Sequence, residues 1–233
     1  MALFFVPEIA EQWELSDEEA AHAIRVLRMS VGDKLTITDG KGLLYDAQIL
    51  SITGKHCYIE PCEPVETAKG WNGNIHIAVA PTKNMDRIEW FAEKATEIGV
   101  DAITFLNCRF SERKVVKNDR VERIVVSAMK QSLKFRKPVV GEMVSFKEFV
   151  KCERPGAKFI AHCYEDEKVL LKDVLVPGED ATVLIGPEGD FSPEEIKMAM
   201  KAGYRPVSLG NSRLRTETAA LVACHTFIMK NEA

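Results

Sequence analysis

The chain is predicted to adopt an α/β fold, a mostly parallel sheet flanked by helices and preceded by a small β-rich domain, and three observations predict it. From Asn74 onward, strand-like and helix-like runs alternate. Residues 1–68 read instead as short strands around one helix, and a stretch rich in turn formers separates the two regions. With 233 residues, 46% of them hydrophobic and 28% charged, the chain is long enough to bury a sizeable core and has the composition of a folded protein.

Within residues 1–68, the apolar Phe4-Phe5-Val6 is followed by Ser16-Asp17-Glu18-Glu19, which has the form of a capping box. Ala20, Ala23, Ile24 and Leu27 keep helical spacing behind it, which places His22, Arg25 and Arg28 around a short helix. KLTITDGKGLLYDAQIL and KHCYIEPCEP are strand-like and broken at Asp39-Gly40 and Thr53-Gly54, as in a meander or small barrel. Glu63 to Asn74, with Pro64, Gly70 and Gly73, reads as the linker.

Residues 74–233 read as the second domain. IHIAVAP is strand-like, and Met85, Ile88, Phe91, Ala92, Ala95 and Ile98 form the apolar stripe of a helix closed by Gly99. AITFLN is a second strand, and Val121, Ile124, Val125, Ala128 and Ser132 mark a second helix. FIAHCY and TVLIG are further strands. Ser192, Pro193 and Glu195 form a capping box opening a helix that Gly203 ends; RPVSL is the last strand and Thr216 to Met229 the last helix.

Several function classes lose support at this stage. Six cysteines are scattered without a C-x-x-C pair and several lie in apolar runs, as buried reduced thiols do. The five histidines show no close ligand spacing, so no metal is expected. No apolar run approaches the ~20 residues that span a bilayer, and the N-terminus lacks a basic, long-apolar leader pattern; the expected location is cytoplasmic, with no membrane partner. The net charge of −4 argues superficially against a nucleic acid, yet Arg109 to Lys137 hold ten basic and three acidic residues, a local +7 that leaves −11 elsewhere. That cluster suits either a phosphate-binding face or a solvated helix.

In an open α/β sheet, ligands bind beyond the carboxyl ends of the strands. LIGPEGD (184–190) and SLGNSRLRTETA (208–219) both lie there, each turning from a strand toward a helix. Their glycines permit close backbone approach, as a flat base and a ribose require, and Pro187 stiffens the first loop. Neither is a Walker loop nor a G-x-G-x-x-G fingerprint, so spacing leaves the ligand unnamed.

IGPEGDFSPEE (185–195) and LGNSRLRTETA (209–219) resemble the two C-terminal cofactor motifs of the bacterial family that methylates N3 of a uridine in 16S ribosomal RNA. HAIRVLRMSVGDKLTITDG (22–40), EWFAEKATEIGVDAI (89–103) and AMKQSLKF (128–135) resemble its other motifs, in order over essentially the whole chain. Three departures stand out: Gly189-Asp190 where the family usually has Gly-Gly, Asn211-Ser212-Arg213 where it usually has Pro-Arg-Ile, and Lys134 where it more often has Arg.

The resemblance implies a PUA-like RNA-binding barrel followed by a SPOUT α/β domain with a deep trefoil knot, an exception to the rule that folds are unknotted. It implies S-adenosylmethionine as cofactor, held by Leu184, Ile185, Gly186, Pro187, Glu188, Gly189, Ser208, Leu209, Gly210, Leu214, Thr216, Thr218 and Ala219. It also implies a homodimer with the active site at the subunit interface; the broadly apolar last helix suits such an interface or deep burial in one subunit. Arg215 and Glu217 open that helix beside the cofactor loop and are the expected catalytic pair, with Glu217 accepting the N3 proton or orienting the base and Arg215 stabilising charge on a carbonyl oxygen. An acid in a first helical turn is also favoured by the helix dipole alone. For 16S rRNA or the small ribosomal subunit, Arg25, Arg28, Lys83, Arg87, Arg109, Arg113, Lys134 and Arg136 are the expected contacts. Two other functions stay open: methylation of another RNA or of a ribose 2′-hydroxyl, and a non-catalytic RNA-binding role in ribosome assembly.

Overall fold

The structure is a computed structural model that describes residues 2–165 and 167–232. Its contacts divide the chain into two compact units, Met1–Lys69 with Val126–Lys137, and Gly70–Val125 with Pro138–Ala233.

In the first unit, β1 (Leu3–Phe5), β2 (Lys34–Thr38), β3 (Leu43–Thr53) and β4 (His56–Pro61) form a sheet in that order, with β5 (Val65–Glu66) also on β3. Among the described residues of this sheet, only β1 and β2 pair parallel. Strand β3 shows why the chain folds this way: Tyr45, Ala47 and Ile49 are buried while Asp46, Gln48 and Leu50 face out, the period-two pattern of a half-buried strand. A register shift between Ile49 and Ser51 ends the strict alternation. Phe4, Ile9, Ile37, Ile49 and Ile59 are fully buried, each contributing about 1.5–3 kcal/mol relative to exposure.

Between β1 and β2 runs α1 (Asp17–Ala21), which passes into a π-helical turn at His22–Val26. The expected capping box is only half made. Ser16 Oγ accepts from the Glu19 amide at 3.3 Å, but the Glu19 carboxylate accepts instead from the Phe5 amide and from Lys130 Nζ at 2.5 Å. Glu19 is 4% exposed, so its charge is better matched by an ammonium than by a backbone N–H. Arg28 then leaves the helix at a left-handed φ of 56°.

Val126–Lys137, placed in the second domain on sequence grounds, joins the first unit through backbone. The Gly42 amide donates to the Phe135 carbonyl at 2.9 Å and the Lys137 amide to Gly40 at 2.8 Å, while Arg136 donates to the Lys41 carbonyl at 2.6 Å. Helical periodicity carries no information about such pairings, which link positions some 95 residues apart.

The second unit holds β6 (Ile75–Val79), α2 (Met85–Ile98), β7 (Ala102–Asn107), the start of α3 (Asn118–Gln131), β8 (Val139–Ser145), α4 (Phe146–Lys151) and β9 (Ala157–Ala161). They are followed by β10 (Val169–Leu170), α5 (Leu171–Val174), β11 (Ala181–Ile185), α6 (Pro193–Lys201), β12 (Arg205–Ser208) and α7 (Thr216–Asn231). The seven strands lie in the order β10-β12-β9-β11-β6-β7-β8, and every pairing is parallel. All five residues of central β11 are buried, as a strand covered on both faces requires. Ala181, Val183 and Ile185 pack with α2 and α7 residues such as Phe91 and Phe227, whereas Leu184 packs on the opposite face with Phe146, Phe191 and Tyr204. Ser192 and Glu195 complete both halves of their capping box at α6, and Gly99 closes α2 at φ 130°.

Candidate functional site

Because the sheet is parallel, the loops after β6, β9, β11 and β12 emerge along one edge, and those strands are neighbours. The loop after β11 is fastened in three directions. The Thr216 hydroxyl, in the first turn of α7, donates to the buried Gly186 carbonyl at 3.1 Å. Glu188 Oε1 accepts from the Lys83 amide at 2.9 Å, tying in the loop after β6, and Arg113 holds the Lys83 carbonyl at 2.7 Å. Asp190 Oδ2 accepts from the Cys163 amide at 2.7 Å, tying in the loop after β9.

These loops enclose a cavity of about 450 Å³ lined by Ile185 to Asp190, Arg213 to Glu217, Ala219, Arg87, Ala161 and Cys163. A second depression of about 500 Å³ is lined by Val207 to Leu214, His162 and Lys168, and shares Ala161, Cys163, Arg213, Leu214 and Ala219 with the first. Two glycines show how closely the backbone is built. A Cβ on Gly186 would lie 3.1 Å from the Phe191 amide nitrogen, so nothing larger fits without movement. Gly210 has φ 129° and open space at its Cβ position, while its amide and carbonyl are both bonded to the Ser208 hydroxyl, at 3.2 and 3.1 Å.

Most of the expected cofactor residues line one depression or the other: Ile185, Gly186, Pro187, Glu188, Gly189 and Thr216 the first, Ser208, Leu209 and Gly210 the second, Leu214 and Ala219 both. Leu184 and Thr218 line neither. Strand alternation turns Leu184 into the core, where it is 0% exposed. Thr218 shares an outward stripe of α7 with Val222, His225 and Met229, at spacings that place all four on one helical face. Sequence reasoning missed Ala161, Cys163, Asp190 and Arg213 as site residues. The end of FIAHCY carried the signal, since it is a strand end, but the adjacency of β9 and β11 is set by topology.

Arg215 and Glu217 both line the first cavity. Arg215 is exposed, as the residue preceding α7, whereas the Glu217 side chain is only 9% exposed. Glu217 Oε2 is buried without a hydrogen-bond partner, and Oε1 lies 3.9 Å from an Arg87 guanidinium nitrogen. The nearest cation is thus Arg87 of α2, read from sequence as an RNA contact. Desolvation, and then the Asp190 carboxylate, raise the Cys163 thiol above its ordinary range.

The expected RNA contacts fall four to each unit. Lys83, Arg87, Arg109 and Arg113 gather around the Pro187–Asp190 loop and α6: Lys83 pairs with Glu112 at 3.0 Å, and Arg109 with Glu194 at 3.6 Å. Arg25, Arg28, Lys134 and Arg136 belong to the first unit, where Arg25 and Arg28 are exposed. Arg113 and Arg136 spend their guanidinium groups on backbone carbonyls. Among the described residues, no three His, Cys, Asp or Glu side chains gather as a metal site, and no helix is long and apolar enough to cross a membrane.

Two family models match this chain, an RNA methyltransferase domain over residues 69–228 and an RNA methyltransferase PUA domain over residues 15–62. Among solved structures, a probable rRNA-methyltransferase from Porphyromonas gingivalis is 45% identical with a TM-score of 0.93, covering 98% of this chain and 99% of its own. Ribosomal RNA small subunit methyltransferase E from Neisseria gonorrhoeae, solved bound to S-adenosylmethionine, is 28% identical with a TM-score of 0.84, covering 96% and 95%. The curated protein of that name from Synechocystis sp. is 30% identical over 85% of this chain and 67% of its own length. With its PUA domain, its parallel α/β domain and these relatives, the chain belongs to the ribosomal RNA small subunit methyltransferase E family of RNA methyltransferases.

Proposed function

We propose that this chain transfers a methyl group from S-adenosylmethionine to N3 of a specific uridine in 16S rRNA of the small ribosomal subunit. The observation that carries the chemistry is Glu217 Oε2, a buried carboxylate oxygen without a partner in the wall of the cavity. The relatives' names support the rRNA substrate, and the bound molecule in the N. gonorrhoeae structure supports the cofactor.

The residues present fit that cofactor. Gly210 has open space at its Cβ position in the wall of the second depression, where a base or ribose can lie against main chain, and Ala161, Ile185, Leu214 and Ala219 supply apolar wall. When bound, S-adenosylmethionine supplies a methyl group activated by its sulfonium charge.

Uracil N3 carries a proton and is a poor nucleophile until that proton leaves. Glu217 is held on a rigid helix start with one oxygen toward Arg87 and the other unengaged, so Oε2 accepts the N3 proton or orients the base. Arg215, exposed at the same cavity, stabilises negative charge developing on a uracil carbonyl oxygen. Arg87 acts through Glu217 as a positioning residue. The loop bonds made by Thr216 and Glu188 hold these groups in place before substrate arrives, and positioning of this kind supplies ~7–11 kcal/mol of barrier reduction in well-oriented cases.

N3 lies on the pairing edge, so the target uridine must be unpaired or flipped out of its stack. Arg25, Arg28, Lys83, Arg109 and Lys134 are proposed as RNA contacts, with Arg113 and Arg136 supporting the loops that carry them. The domain division proposed is a PUA-like unit built on residues 1–68, to which Val126–Lys137 is added, and a SPOUT unit built on the rest of 74–233 with its trefoil knot, and the active form is a homodimer with the site at its interface. The outward stripe of α7, with Val222 and the 60% exposed Met229, suits that contact. Nuclease digests of RNA methylated by the purified protein test the reaction: 3-methyluridine is expected, methylated ribose would move the target atom, and no methylation with intact RNA binding would leave an assembly factor.

A further inference from the structure

The loop after β11 carries an aspartate where its family usually has glycine, and the backbone there favours glycine. Asp190 sits at φ 64°, a left-handed conformation that asparagine and aspartate tolerate best among residues with a side chain. Its position closes the turn that begins at Pro187, since the Asp190 amide donates to the Pro187 carbonyl at 2.9 Å.

Both carboxylate oxygens are engaged. Oδ1 accepts from the next amide, Phe191, at 2.8 Å, a local bond that steadies the turn. Oδ2 accepts from the Cys163 amide at 2.7 Å, 27 positions away on the loop after the adjacent strand β9. Bonds to an ionised carboxylate at this length are the strong kind. Asp190 and Cys163 both line the first cavity, and Cys163 also lines the second. The other two ties of this loop, at Glu188 and Thr216, run toward β6 and α7, so the β9 side is held by Asp190.

We infer that Asp190 is a positioning residue that bolts the two walls of the cofactor cavity together and so sets the affinity for S-adenosylmethionine. The inference rests on the cofactor reading above. Glycine at this position would leave the turn unstrained but free the Cys163 loop, so the cavity would have to be ordered by the cofactor itself. That ordering cost appears in cofactor binding and leaves the methyl-transfer step and RNA binding alone.

The test compares wild type with Asp190→Gly and Asp190→Asn, neither of which strains the backbone. Cofactor affinity is measured by calorimetry, steady-state kinetics give kcat and the KM for each substrate, and thermal melting without cofactor reports the fold. Asp190→Gly is expected to weaken S-adenosylmethionine binding about tenfold, with kcat and the RNA KM within about twofold of wild type. Asp190→Asn, which keeps one acceptor, should fall between. Unchanged cofactor affinity in Asp190→Gly overturns the inference. So does a parallel decline of cofactor affinity, kcat, RNA KM and melting temperature, which is the mark of a merely structural residue.

A second readout needs no cofactor. Removing the Asp190 charge should speed alkylation of Cys163 relative to the exposed Cys62, followed site by site by mass spectrometry, because that carboxylate helps hold the thiol protonated. An unchanged ratio shows that the two groups are not in contact and overturns the strut. Wild-type protein that binds no S-adenosylmethionine, together with the expected change at Cys163 in the Asp190 variants, defeats the cofactor reading while leaving the strut in place.

Discussion

Thr216→Val removes a single hydrogen bond from the junction of the two glycine loops while conserving side-chain shape. The Thr216 hydroxyl is 3.1 Å from the Gly186 carbonyl, and both residues are buried, so the substitution takes a donor from a largely desolvated acceptor. Leaving a buried acceptor unsatisfied costs about 1–3 kcal/mol. For a chain of this length about 2–4 °C of melting temperature follows each kcal/mol, so the cofactor-free variant should melt about 2–12 °C lower. The same carbonyl belongs to the cavity wall, and S-adenosylmethionine affinity should fall with it. Urea denaturation and calorimetric titration measure the two effects. Thr216→Ser keeps the donor and should retain most of the cofactor affinity despite losing a methyl group. Wild-type stability and affinity in Thr216→Val, or an equal affinity loss in Thr216→Ser, would refute the proposed link between α7 and the Pro-Glu-Gly turn.

Glu217→Gln should reduce methyl transfer by about 10²–10⁴-fold with cofactor affinity kept, and full activity in that variant removes Glu217 from the chemistry. Arg87→Ala should lower kcat with little change in the salt dependence of RNA binding, and Arg87→Lys should recover part of the rate; a changed salt slope with unchanged kcat would return Arg87 to the RNA contacts. Arg109→Ala should reduce the slope of log affinity for RNA against log salt by about 0.7–0.9 without affecting S-adenosylmethionine, whereas Arg113→Ala should weaken both, because Arg113 supports the Lys83 carbonyl. His76 is held near a pKa of about 4, by burial first and the Arg154 charge second, and bonds Thr104 Oγ1 at 2.8 Å. The unfolded chain therefore takes up a proton at His76 before the native one does, and stability falls as pH drops from 6.5 toward 4, by about 2 kcal/mol at pH 5. His76→Gln should flatten that part of the curve in urea denaturation at pH 7.5 and pH 5.

Elements with a strong period were legible in the sequence: the apolar stripe of α2 ends at Gly99 as expected, and the strand AITFLN matches β7 residue for residue. The segment 138–156 carries no clear period, because β8 is an edge strand of mostly intermediate burial interrupted by Gly141, and α4 spans only six residues. The two loops of the site announced themselves as strand-to-helix turns rich in glycine, so most of the cavity lining was found in advance. Cys163 and Ala161 were not, since their place beside Gly186 follows from β9 lying next to β11 across a sheet whose strand order no local pattern encodes. The same holds for Arg136, whose carbonyl partners Lys41 and Thr67 are distant in sequence. Asp190 was visible as a departure from glycine, but its partner at Cys163 was not.

The most direct test of the methyltransferase assignment is mass spectrometry of small-subunit rRNA from cells lacking this gene, before and after incubation with the purified protein and methyl-labelled S-adenosylmethionine. One 3-methyluridine is expected to be missing from the unincubated rRNA, and the label is expected to return to that uridine alone. Label on a ribose, label at other sites, or 3-methyluridine still present in the deleted strain would contradict the assignment.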